Sequence, residues 1–99
     1  MKIPKSFQLF ANTIEVEIND KRMNEMNCYG LTEPSKSLIS LAITNDGHDL
    51  SEDIKIDTYY HERTHAILWE MGEVDLYENE KFVDIFSKLL RQSENTTKY

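Results

Sequence analysis

The sequence predicts an α+β domain: a small three- to four-stranded antiparallel sheet followed by two packed helices. Two observations lead there. In the first half, apolar residues alternate with polar ones, the period of a strand. In the second half they recur three and four positions apart, the period of a helix. The change falls at Thr44-Asn45-Asp46-Gly47, a loop signal. With 99 residues in all, the chain has room for one domain and a modest core.

Each element has its own signal. Phe7 and Leu9 alternate with polar neighbours, and Ala11-Asn12-Thr13 offers a turn. Ile14, Val16 and Ile18 resume the alternation, with Glu15 and Glu17 between them. Residues 19–27 are polar and read as a loop or a short helical turn. Residues 28–32 and 38–42 make a second strand pair around Glu33-Pro34-Ser35-Lys36, where proline presets the turn. Ser51 followed by Glu52 and Asp53 opens a helix, because a hydroxyl caps free N–H groups and carboxylates suit the helix dipole. That helix is expected to run to Met71, with Gly72 in the left-handed position beyond it. A second helix is expected over residues 78–92. Its Phe82, Ile85, Phe86, Leu89 and Leu90 form one stripe, expected to face the core. Residues 1–92 form the domain, and 93–99 are expected to be a frayed polar tail.

Eighteen acidic residues against eleven basic ones give a net charge of −7. This opposes sequence-independent nucleic-acid binding, which needs a basic footprint. The expected partner is a protein or peptide substrate. One cysteine permits no internal disulfide, so a cytoplasmic location is expected. Residues 1–7 carry positive charge without the apolar run of a leader peptide. The longest apolar run, Ala66-Ile67-Leu68-Trp69, is too short for a membrane span. No pattern specifies an oligomeric state.

His61-Glu62-Arg63-Thr64-His65 is H-E-x-x-H within the first helix. Residues four apart share a helix face, so His61 and His65 can reach one metal ion. Zinc (Zn2+) suits two imidazoles and an oxygen ligand, with one position left for water. Glu62 lies where a carboxylate can take that water's proton. A third ligand is sought downstream. Glu80 and Asp84 share a face of the second helix, so Glu80 can complete the site while Asp84 orients a ligating imidazole. Glu78 is the rival ligand, but Phe82 rather than an acid stands four residues beyond it.

H-E-x-x-H followed by Glu-x-x-x-Asp resembles the gluzincin branch of zinc metallopeptidases. More narrowly, Glu80, Val83, Asp84, Phe86 and Ser87 match in size and polarity the Glu-x-x-Ala-Asn-x-Phe-Ala pattern of compact ImmA/IrrE-like members. The order of a small sheet and then a metal-binding helix is similar to the SprT-like group. The resemblance covers roughly residues 28–92, and short proteins of this type are common in phages and mobile elements. It implies zinc-dependent hydrolysis of peptide bonds in an intracellular protein. It also implies a substrate laid along a strand edge, for which residues 38–42 are the expected strand.

Other residues carry weaker expectations. Tyr77 is the candidate donor to the oxyanion, ahead of Tyr59 and Tyr60. Arg63 departs from the uncharged pattern, and its stem is expected along an apolar surface. His48 is expected in solvent, Cys28 as a small buried hydrophobe and Trp69 in the core.

Overall fold

The alternating segments of the first half form one four-stranded sheet in the computed structural model, which describes residues 3–99. Met1 and Lys2, which begin the segment read as lacking a leader, lie outside the described residues. β1 (Ser6–Leu9) and β2 (Asn12–Ile18) form an antiparallel hairpin. The polar stretch that follows is helical: α1 (Asp20–Glu25) is capped by Asn19, whose side chain accepts from Arg22 N at 3.1 Å. β3 (Gly30–Glu33) and β4 (Leu38–Leu41) pair antiparallel across a 3-10 turn at Pro34–Lys36.

The strand order is β1-β2-β4-β3, and β4 runs parallel to β2, with Glu15 opposite Leu38 and Ile18 opposite Leu41. The sheet is therefore mixed, not antiparallel throughout as expected. A tight hairpin can only make antiparallel neighbours, whereas parallel ones need a longer crossover. Here α1 and β3 provide it. The same order corrects a second expectation: β4 is an inner strand, so residues 38–42 present no free edge. The edge strands are β1 and β3, and β3 is the one beside β4.

A two-stranded hairpin of β5 (Thr44–Asn45) and β6 (His48–Asp49) follows. Its turn places Asp46 at φ 51° and Gly47 at φ 79°, the left-handed pair that matches strand twist. α1 holds this hairpin in place, because Asp20 Oδ1 accepts from Ile43 N at 2.7 Å and Thr44 N at 3.1 Å.

α2 (Glu52–Met71) has the predicted ends. Ser51 accepts from Ile54 N at 3.2 Å, Gly72 takes φ 74°, and Glu73 N donates to Leu68 O at 3.0 Å. A short α3 (Val74–Tyr77) fills the connection, and α4 (Glu80–Thr96) begins after Asn79, which accepts from Phe82 N at 3.0 Å. α4 outruns its expected end at residue 92, so much of the supposed tail is helix. The main core joins Ile14, Ile39 and Leu41 of the sheet to Ile56, Tyr59, Tyr60 and Ala66 of α2, with Leu90 of α4 packed against it.

The orientation of α4 overturns the expected stripe in part: Phe82 and Leu90 are half-buried, with Leu90 against the core, but the other three residues of the stripe are not. Ile85, Phe86 and Leu89 are 51%, 43% and 59% exposed, while Val83 and Ser87 are buried. The docked face runs through Glu80, Val83, Asp84, Ser87, Arg91 and Glu94, spaced three and four apart. Two ion pairs and a hydrogen bond fix it: Arg91 reaches Asp57 Oδ1 at 2.6 Å and Asp53 Oδ1 at 2.7 Å, and Tyr60 Oη donates to Glu94 Oε2 at 2.5 Å. Specific polar partners on α2 outcompete the oilier face. Trp69 is also corrected, being 47% exposed and edge-on to Tyr77. No helix among the described residues is long and apolar enough to cross a membrane.

Candidate metal centre

The long α2 carries His61, Glu62 and His65 on the turns that face α4 and β3. His61 and His65 are one helical turn apart, and their rings meet edge to face with centroids 5.0 Å apart. Opposite them, the first turn of α4 presents Glu80. Its two carboxylate oxygens divide between the imidazoles: Oε2 lies 3.0 Å from His61 Nε2 and Oε1 lies 3.1 Å from His65 Nε2. One ligand atom from each of His61, His65 and Glu80 falls within 4.8 Å of the others. One turn along α4, Asp84 Oδ1 is 3.1 Å from His61 Nδ1. Glu78 lines the same cleft but stands outside this cluster.

His61, His65 and Glu80 could together hold a metal ion. When Asp84 accepts the Nδ1 proton of a neutral His61, the Nε2 lone pair points at a carboxylate oxygen. Two acceptors 3.0 Å apart repel unless a proton or a cation sits between them. His65 is less completely supported: its Nδ1 is buried and has no hydrogen-bond partner.

Glu62 lies beside this cluster and is only 7% exposed. Its carboxylate Oε1 accepts from Thr32 Oγ1 at 2.8 Å, across from β3. Burial pushes the Glu62 carboxyl above its ordinary value, while the Thr32 hydroxyl and the two imidazoles pull it down. Gly30, Thr32, Glu62, His65, Tyr77 and Glu80 are among the residues lining a cleft of about 460 Å³. Tyr77 packs edge-on to His65 with centroids 4.9 Å apart. Burial first, and then the charges of Glu62, Glu80 and Glu78, raise its hydroxyl, which stays protonated and able to donate.

No family model matches the chain, and no curated protein or solved structure matches it significantly.

The remaining expectations divide. Arg63 turns away from the cleft: its guanidinium carbon lies 5.4 Å from the centre of the Phe7 ring and Nη1 reaches Tyr59 Oη at 3.5 Å. Its charge is thereby kept off the cluster. Tyr59 and Tyr60 are core residues, not cleft residues. His48 is exposed on β6 and does not line the cleft. Cys28 is half-buried, its Sγ 3.7 Å from Met23 Sδ. Sequence reasoning missed Thr32 and Gly30. A threonine in a strand carries no motif, and only the packing of β3 on α2 gives it a partner.

Proposed function

We propose that the protein is a zinc-dependent metallopeptidase of the gluzincin type, acting on a protein or peptide in the cytoplasm. The observation that carries this reading is the convergence of His61, His65 and Glu80 beside the buried Glu62 carboxylate in one cleft. Zinc held there would polarise the scissile carbonyl and make an attacking water more acidic. His61, His65 and Glu80 would hold the ion, and Asp84 fixes the His61 ring through Nδ1. Glu62 accepts the proton of the attacking water and passes it to the leaving nitrogen. The Tyr77 hydroxyl donates a hydrogen bond to the oxyanion. The substrate strand lies along the free edge of β3, in place of the inner β4.

A second reading keeps the metal without the hydrolysis, making the domain a zinc-bound binding module. The partnerless Nδ1 of His65 leaves that ring less firmly held than His61 and bears equally on both readings. Elemental analysis of untagged protein is expected to show one zinc per chain, lost in Glu80→Ala. Glu62→Gln is expected to keep the zinc and lose cleavage of a labelled casein. Wild type without metal defeats both readings; cleavage that survives Glu62→Gln defeats the mechanism.

A further inference from the structure

We infer that Thr32 is a positioning residue for Glu62: its hydroxyl holds one carboxylate oxygen so that the other addresses the open side of the metal cluster. This rests on the peptidase reading above.

Glu62 is almost wholly buried, and a glutamate side chain there has three torsions to fix before its oxygens have a defined aim. Thr32 Oγ1 lies 2.8 Å from Oε1 and 3.0 Å from the backbone oxygen of the same residue. It thus touches Glu62 at both ends, the helix backbone and the carboxylate tip. Oε2 receives no hydrogen bond from the described residues. One oxygen is tethered and one is left for chemistry.

Gly30 makes this reach possible. It shares a strand face with Thr32, two residues on, and a Cβ there would lie 3.0 Å from Glu62 Cγ. With no side chain between them, β3 lies close enough to α2 for a short hydroxyl to span the gap. The free edge of β3 would also receive the substrate. Thr32 therefore ties the orientation of the proton acceptor to the strand on which the substrate rests.

Thr32→Val keeps the shape of the side chain and removes the hydroxyl, while Thr32→Ser keeps the hydroxyl. On labelled casein with zinc-loaded protein, Thr32→Val is expected to lower kcat about 10- to 100-fold with KM unchanged, the usual scale for groups that orient a metal site. Thr32→Ser is expected to restore kcat. Zinc affinity by chelator competition should match wild type in both. A readout free of turnover is the visible spectrum of cobalt-loaded protein. Thr32→Val is expected to bind cobalt normally but show an altered spectrum, and Thr32→Ser the wild-type spectrum.

Wild-type kcat in Thr32→Val overturns the inference, as does a kcat loss that Thr32→Ser shares. If zinc-loaded wild type fails to cleave casein, the peptidase reading falls instead. The inference is then decided by the cobalt spectra, and an unchanged spectrum in Thr32→Val overturns it.

Discussion

An ideal Cβ on Gly30 would sit 2.6 Å from Thr58 Cγ2, 3.0 Å from Glu62 Cγ and 3.2 Å from Leu41 Cδ2. The first two atoms belong to α2, so β3 cannot admit even one methyl group without moving from the helix that bears the site. Gly30→Ala is expected to destabilise by about 1–3 kcal/mol, the usual cost of overpacking, as measured by urea unfolding. Thr58→Ser removes the nearest atom, so Gly30→Ala/Thr58→Ser should recover part of that loss. Strictly additive costs would show that the clash is not the cause. Residues of this kind divide sharply in what a sequence reveals. His61, His65, Glu80 and Asp84 could be named beforehand because helical spacing alone puts each pair on one face. Thr32 could not, since its partner stands thirty positions away and the contact depends on how a strand packs.

The helix α4 poses the same problem at the scale of an element. Its existence was legible, as were both ends of α2, because Ser51 and Gly72 act locally; its start was not, since it was expected at residue 78 and falls at Glu80, after the cap Asn79. Which face docks was not. A periodic stripe identifies a face but not its neighbour, and the ion pairs of Arg91 with Asp53 and Asp57 cross between helices more than thirty positions apart. Paired truncations distinguish the faces. Val83→Ala, at a fully buried site, is expected to cost roughly 2–3 kcal/mol from two lost methyl groups and the space they leave. Leu89→Ala, on the exposed stripe, should stay within about 0.5 kcal/mol. The reverse ranking in chemical denaturation would mean that the stripe faces inward after all. α3 was missed for a simpler reason: four residues hold too little pattern to show a period.

For the molecule as a whole, the net charge of −7 makes acid a natural probe. Hydrogen bonds from Arg22 and Lys36 hold the Glu33 carboxyl down from an ordinary 4.5 to about 2. The folded state therefore favours the ionised form, so its stabilisation is complete above about pH 4.5 and fades as pH falls through about 2. In thermal melts, wild type is expected to exceed Glu33→Gln at neutral pH, with the gap closing over that window. A gap that persists at pH 2 would show that the carboxylate charge is not its source. Sheet architecture was only half legible at this scale. The alternation identified the strands of the main sheet, while β5 and β6 fall at the stretch read as a loop; the parallel pairing of β2 with β4 arises from the crossover through α1, which no strand encodes. That pairing puts β3 on the outside, where it meets α2. The cleft thus draws on three stretches, around residues 30–32, 61–65 and 77–84, far apart in the chain. A chain severed anywhere between the first and the last leaves no fragment with the full set of groups. The cluster is therefore assembled only when the whole span folds as one, and a copy nicked within it regains the full set of groups only if its pieces reassociate.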